Sequence, residues 1–291
     1  MIPQKSDSGD RFDSPIFGSY LAGLWEGDGH IILPKYNQQG KIINTPCLAI
    51  TFVDNDLLLV ENLVSKYGGW IRFKTKQNAI VWTVTKQSDL IKLVRFINGY
   101  LRTPKIYELN LLISYLNEKF DANIVNHSMD ISLLSNNYWL AGFIDADGGF
   151  KVRYSQKRID ELTKKVLSKE RIEVRFALEQ RQDHPKNQAS YQDIMKQIAD
   201  YLSVNLRISH HNGKNYWIVE VFSVIKLQLL VDYLNIYPLL TAKSNDYRDW
   251  LKVFELVKTN KHLTESGKSI IENIKSNMNR KRTVFDWSHI K

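Results

Sequence analysis

A nine-residue stretch occurs twice in this chain, as Leu21-Ala22-Gly23-Leu24-Trp25-Glu26-Gly27-Asp28-Gly29 and as Leu140-Ala141-Gly142-Phe143-Ile144-Asp145-Ala146-Asp147-Gly148. In each copy an apolar run leads into small residues, an acidic pair and then a glycine, the pattern of a helix end with glycine as its stop. Two such helices packed side by side need small residues where their backbones approach, and Ala22-Gly23 and Ala141-Gly142 supply them at matching positions. Asp28 and Asp147 are then expected to meet at the foot of the interface. A helix C-terminus carries partial negative charge, so two carboxylates placed there repel each other unless a cation joins them. Oxygen ligands alone select a hard divalent ion such as Mg²⁺, which keeps some of its waters. One copy by itself would equally suit a core helix ending in an exposed acid; the second copy favours the paired reading.

Both stretches resemble the LAGLIDADG motif, and the chain is similar to the two-repeat, single-chain LAGLIDADG homing endonucleases. Glu26 in place of Asp and Trp25 in place of Ile are departures that leave Asp28 and Asp147 intact. The resemblance implies an α+β fold in which two pseudo-symmetric αββαββα repeats pack through the motif helices and form a saddle of antiparallel sheet. It implies a monomer that binds duplex DNA, hydrolyses one phosphodiester on each strand and leaves a staggered double-strand break, for intron homing. Asp28 and Asp147 are the implied metal-binding acids, with the backbone carbonyls of Gly27 and Ala146 as further ligands. The implied ion is Mg²⁺ or another hard divalent cation such as Mn²⁺, with Ca²⁺ as a non-catalytic substitute.

The same resemblance directs attention to Leu101-Arg102-Thr103-Pro104-Lys105 and Leu239-Leu240-Thr241-Ala242-Lys243, which share Leu-x-Thr-x-Lys ahead of a helix. A family lysine at this place lies beside the active site, where an ammonium stabilises charge building on phosphate oxygens. A plain surface lysine is the alternative for Lys105 and for Lys243. Gln180, four residues after Phe176, matches a polar residue near the nucleophilic water, and its counterpart four after Phe52 is Asp56, which reads equally as a helix N-cap. Two rivals remain at this point: an intron RNA maturase, and a DNA-binding regulator that keeps the motifs only for helix packing.

Lys and Arg number 40 against 31 Asp and Glu, and the resulting net charge of +9 favours a polyanionic partner, a balance that ribosomal, membrane-surface and nuclease proteins share; the resemblance narrows the partner to duplex DNA or intron RNA. Cys47 is the only cysteine, which excludes an intrachain disulfide and a cysteine zinc cluster. The N-terminus lacks the apolar core of a signal peptide, so no secretion is expected. The run from Val221 to Leu240 is interrupted by Lys226 and Asp232 and does not read as a membrane span. Abundant Asn, Lys, Ile and Tyr hint at an AT-rich coding genome and so at an organelle, the mitochondrion.

Along the chain, residues 1–12 read as a tail, 13–116 as the first repeat, 117–135 as a polar linker, 136–265 as the second repeat and 266–291 as an extension. The first helix is expected from about Ser14, with Pro15 as a starting residue. Strands follow at 30–33 and 48–52, around a loop carrying Lys35, Asn37, Gln39 and Lys41, then a helix at 57–67, strands around Arg72 and at 81–85, and a helix at 89–98. Arg72, Lys74 and Lys76 alternate with Ile71 and Phe73, which predicts a strand basic on one side. Alternation recurs in Lys151, Arg153 and Ser155 and in Arg171, Glu173 and Arg175, and Arg207 and Ser209 extend it. These residues, with His30, are the candidate DNA contacts, since Arg and Lys reach phosphates or guanine edges and Asn and Gln reach adenine; an ordinary solvated sheet face has the same look.

The offset between matched residues grows from 119 at Asp28 and Asp147, through 124 at Phe52 and Phe176, to 138 at Lys105 and Lys243, as a duplication with insertions in its second copy gives. The charged segment 156–170 is one such insertion, expected as a loop. Gly267-Lys268-Ser269 lacks the earlier glycine of a phosphate-binding loop and is rejected as one. His210-His211-Asn212-Gly213 reads as a hairpin turn rather than a histidine metal site, because Asn-Gly favours type I′ geometry.

Overall fold

A computed structural model describes residues 11–290; of the expected tail, residues 1–10 lie outside it. By contacts the chain forms two compact units. One runs to Asp147 and takes in Asp183–Ile194; the other comprises Gly148–Gln182 and Met195–His289.

In the first unit, helix α1 (Pro15–Asp28) begins on Pro15, whose fixed φ and missing N–H suit a first turn. Phe17 through Glu26 are all buried, as an apolar helix surrounded by protein requires. Strands β1 (Gly29–Ile32) and β2 (Cys47–Val53), helix α2 (Leu57–Tyr67), strands β3 (Trp70–Lys74) and β4 (Ala79–Val84), and helices α3 (Gln87–Ile97) and α4 (Ile106–Phe120) follow. The second motif helix, α5 (Trp139–Asp147), packs against α1 within this same unit. All four strands are antiparallel neighbours in the order β1-β2-β4-β3.

Register decides what this sheet buries. Leu48, Ile50 and Phe52 of β2 share a face with Ile80, Trp82 and Val84 of β4, and all six are buried. Leu59, Val60 and Leu63 of α2 and Leu90, Leu93, Val94 and Ile97 of α3, at helical spacing, are buried too. Each such side chain contributes about 1.5–3 kcal/mol through removal from water.

The second unit repeats the topology. It contains β5 (Gly148–Ser155), β6 (Arg158–Ile159), β7 (Val166–Ser168), β8 (Arg171–Arg181), α6 (Gln192–Tyr201, of which Met195 onward belongs here), β9 (Arg207–His211), β10 (Lys214–Val221), α7 (Val224–Ile236), α8 (Lys243–Lys258) and α9 (Glu265–Asn277). Its main sheet runs β5-β8-β10-β9, the same antiparallel order as the first. Phe150, Phe176, Val219 and Val221 are buried with Trp250 of α8, whose indole N–H donates to the Arg175 carbonyl at 2.9 Å. The expected α+β class, with antiparallel sheets and packed motif helices, is what forms.

Several local expectations change. Segment 156–170 is a small two-stranded ribbon, β6 with β7, rather than a plain loop. Lys76 leaves the strand for a 3-10 turn at Thr75–Gln77, so only Arg72 and Lys74 keep the expected basic side of β3, while Phe73 on its other side is 58% exposed. The linker begins inside α4, which extends to Phe120, and its later part is pinned: Arg102 donates to Asp130 Oδ2 at 2.5 Å and to the Ser132 carbonyl at 2.7 Å. Gly267-Lys268-Ser269 lies within α9, capped by the Thr264 hydroxyl, which accepts from the Gly267 N–H. Asn212 and Gly213 both take positive φ, 51° and 71°, and join β9 to β10. Among the described residues no helix is long and apolar enough to cross a membrane.

Candidate active site

The motif helices touch through glycine. A Cβ added to Gly23 would lie 2.0 Å from the Trp139 carbonyl oxygen, and one added to Gly142 would lie 2.0 Å from that of Tyr20. The two contacts are reciprocal and equivalent, as a pseudo-twofold between α1 and α5 demands. One turn below, a Cβ on Gly27 would stand 2.1 Å from that of Ala146 and 3.2 Å from Asp147 Oδ2. The Asp147 carboxylate is thus turned against the last turn of α1, whose final residue is Asp28. Leu21 to Glu26 and Ala141 to Asp145 are buried, whereas Gly27, Asp28, Ala146 and Asp147 all open to solvent. Gly29 and Gly148 begin strands; Gly29 is extended at φ −90° and ψ 164°, so it does not stop the helix by a left-handed turn. Its Cβ would collide with Trp25 Cδ1 at 2.1 Å, and close approach is the reason for glycine there.

Lys105 reaches this point. Its Nζ donates to the carbonyls of Gly29 at 2.8 Å, Gly27 at 3.1 Å and Trp25 at 3.3 Å, capping the negative end of α1. Burial presses its pKa below the ordinary lysine value, and Asp147 is the largest of the charges opposing that shift. Thr103 sets the preceding turn, its hydroxyl accepting from the Lys105 N–H at 3.2 Å; Thr241 does the same for Lys243 at 3.3 Å. Leu101, Thr103, Leu239 and Thr241 are buried, which explains the shared Leu-x-Thr-x-Lys spelling.

Sequence reading passed over the residues that brace the helices. Glu26 is fully buried and its carboxylate accepts from Arg102 N–H, from Thr103 N–H and hydroxyl at 2.6 Å each, and from the Trp139 indole N–H at 2.6 Å. Burial pushes its pKa up, and these donors hold it back. Its counterpart Asp145 accepts from the Tyr20 hydroxyl at 2.7 Å. Tyr20 and Trp139 each immediately precede a motif, so each copy donates to the sixth residue of the other. The indole N–H projects less far than a phenol hydroxyl, and Glu26 is the longer acid where the donor is the indole. The signal in the sequence was a joint difference between the copies, Trp139 with Glu26 where the other pair is Tyr20 with Asp145.

The segment Asp183–Ile194 docks on the first unit beside Lys105. Asn187 donates to the Pro104 carbonyl at 3.0 Å, Lys186 pairs with Glu108 at 2.6 Å, and buried His184 lies 3.6 Å from the same carboxylate. His30 lies on β1 with part of its side chain open to solvent, and partial desolvation of its ring, with Lys105, Lys74 and Lys186 nearby, depresses its pKa. Asp56 is buried at the N-cap position of α2 without making a side-chain capping bond. Asn37 spends its carbonyl oxygen on the loop turn, accepting from Gln39 N–H at 3.0 Å and Lys41 N–H at 2.8 Å; Lys35 lies in the same loop.

In the second unit the candidate contacts gather on one sheet face. Arg153 stands opposite Glu173, Lys151 opposite Arg175 and Ser155 opposite Arg171, and register carries Arg207 and Ser209 to the same side. Arg72 and Lys74 share a side of β3 with Trp70. Gln180 lies on the opposite side, that of Phe176 and Leu178, and its Oε1 accepts from Arg181 N–H. His210 bonds Asn215 and His211 bonds Glu179, and among the described residues no group of three or more His, Cys, Asp or Glu could hold a metal by itself. The donors at the helix feet are hard oxygens, two carboxylates and neighbouring carbonyls, a set that fits a divalent cation completed by water.

The profile of the LAGLIDADG endonucleases matches residues 21–116 and 140–254. The chain belongs to the LAGLIDADG endonuclease family. Endonucleases of this family use divalent metal ions. The intron-encoded DNA endonuclease aI3 of Saccharomyces cerevisiae is 29% identical over 94% of this chain and 72% of its own length. The intron-encoded RNA maturase bI4 of the same yeast is 30% identical over 50% of this chain and 21% of its own length. The meganuclease I-SmaMI, solved bound to uncleaveable DNA, superposes with a TM-score of 0.69 at 19% identity, covering 91% of this chain and 98% of its own, so the fold is shared.

Proposed function

We propose that this LAGLIDADG protein is a monomeric, sequence-specific endonuclease that cuts both strands of a DNA target by hydrolysis, leaving a staggered break for intron homing. The observation that carries the reading is the meeting of the motif helices at Gly27, where the Asp147 carboxylate lies against the turn ending in Asp28. Asp28 and Asp147, with the carbonyls of Gly27 and Ala146, would hold a hard divalent cation, Mg²⁺ before Mn²⁺ or Ca²⁺. Such an ion, when bound, polarises a phosphoryl oxygen and makes water a better nucleophile. Lys105 supplies a fixed positive charge beside these acids, and Lys243, presented by an equivalent turn, is proposed for the same task in the second repeat. Gln180 is proposed to orient water; Asp56, at 4% exposure, is enclosed by protein and is not proposed for that task. The sheet faces bearing His30, Arg72, Lys74, Lys151, Arg153, Arg175 and Arg207 would read and hold DNA. The intron-encoded relatives make an organelle such as the mitochondrion the proposed setting.

Replacing Asp28 or Asp147 by Asn is expected to abolish cleavage and leave duplex binding in place, since phosphate contacts do not weaken when a nearby negative charge is removed. Full cutting by both variants would overturn the assignment. Similarity to an RNA maturase over half the chain supports a second reading, an RNA-binding splicing cofactor. A splicing assay separates the two: the Asn variants would support splicing undiminished if RNA binding is an independent activity.

A further inference from the structure

Acids stand where a DNA-binding surface should have none. On the polar face of the β5-β8-β10-β9 sheet, Glu173 takes the guanidinium of Arg171, that of Arg175 at 3.1 Å and, at 3.8 Å, that of Arg153. One strand over, Glu220 pairs with Arg207 at 2.5 Å and lies 3.9 Å from Arg175. Two carboxylates thus join four arginines across all four strands. Burial orders the set by height: the Glu173 and Glu220 side chains are 11% and 19% exposed, while those of Arg153, Arg171 and Arg207 are 58%, 66% and 53% exposed. The acids form the floor and the guanidinium groups the rim. Phe222 adds a wall, with Arg175 4.6 Å and Arg207 5.8 Å from its ring centre. Arg175 is the most enclosed, and its Nε is buried with no hydrogen-bond acceptor.

We propose that Glu173 and Glu220 are specificity-determining residues, which hold Arg153, Arg171, Arg175 and Arg207 upright for guanine edges and away from indiscriminate phosphate contact. This deepens the endonuclease reading and rests on it. A free arginine is a flexible cation that binds any phosphate within reach, and each phosphate so neutralised steepens the salt dependence of binding by about 0.9 in log–log slope. An arginine fixed by a carboxylate keeps its outer N–H groups for a bidentate bond to guanine O6 and N7 while its charge is partly cancelled. The acids therefore lower affinity for random duplex and raise discrimination. The target half lying on this sheet is accordingly one that contains guanine.

The test uses the full chain, with Ca²⁺ to suppress cutting, and a random-sequence duplex pool as probe. Binding is titrated against salt for wild type, Glu173→Gln and Glu220→Gln, and the bound fraction is sequenced. Each Gln variant is expected to bind the unselected pool more tightly at low salt, to steepen the slope by about one to two, and to lose guanine preference at adjoining positions. Replacing guanine by 7-deazaguanine in the selected sequence is expected to weaken wild type more than either variant. Unchanged slopes and preferences in both variants, alongside a wild type that binds and cuts DNA, would overturn the bracing role alone. Loss of one cytosine preference without a change in slope would overturn it too, by making the acid a direct base contact. A wild type that ignores every duplex but binds intron RNA would overturn the endonuclease reading together with this one.

Discussion

Replacing Glu26 by Gln tests how the motif helices are held. Four donors converge on this carboxylate: the backbone N–H groups of Arg102 and Thr103, the Thr103 hydroxyl and the Trp139 indole. An amide presents one oxygen, which accepts two hydrogen bonds, and turns an NH₂ toward the remaining donors. Two donors therefore lose their acceptor in a site that water does not reach. At about 1–3 kcal/mol for each orphaned donor, Glu26→Gln is expected to destabilise by about 2–6 kcal/mol, a large part of the about 5–15 kcal/mol that holds a domain together. Trp139→Phe removes one donor and leaves the carboxylate three, so its cost should be smaller, about 1.5–3 kcal/mol. Urea unfolding followed by fluorescence reads both, and a coupling in the double mutant of at least about 1 kcal/mol is expected for groups in direct contact. Burial raises the Glu26 pKa, so a refuting result has a clear meaning. If Glu26→Gln unfolds within about 0.5 kcal/mol of wild type, beyond what a disrupted network allows, the acid carries a proton and does not act as a common acceptor.

Gly142→Ala is expected to cost at least about 1–3 kcal/mol, because its Cβ would meet backbone rather than a yielding side chain. Gly149→Ala, whose nearest neighbour would be 3.7 Å away, is the matched control and should change the melting temperature little. Burial lowers the Lys105 pKa, and in the role proposed for it this is expected to set an alkaline limit on cleavage. Its ammonium is present below that pKa and lost as pH rises through it, so the rate should decline at a pH lower than an ordinary lysine would give. Lys105→Arg, which stays charged throughout, should lose that decline; an identical pH–rate profile in the variant would remove Lys105 from the active site.

How far the sequence foretold the molecule depends on whether a feature is local. The repeated nonapeptide placed two helices and their small-residue contact, because packing of backbone on backbone leaves glycine as its visible trace. Asn212-Gly213 placed a hairpin for the equally local reason that both residues must take positive φ. Glu26 was passed over as a tolerable change of Asp, since its worth lies in Trp139, Arg102 and Thr103, the last two from a loop more than seventy positions away. Arg102 anchoring the linker through Asp130 was illegible for the same reason. Docking of Asp183–Ile194 on the first unit follows from no periodicity in that segment. The alternation of charge in β5 and β8 correctly put Arg153, Glu173 and Arg175 on one face, yet it could not tell a free arginine from one already paired with Glu173 or Glu220.

Crystals of the full chain with duplex DNA and Mn²⁺, measured at the manganese absorption edge, address the shared acid pair without reference to rate. An anomalous peak coordinated by carboxylate oxygen from Asp28 and from Asp147 is the predicted outcome. Manganese bound away from both acids, or these two side chains directed to separate surfaces with DNA in place, would contradict it.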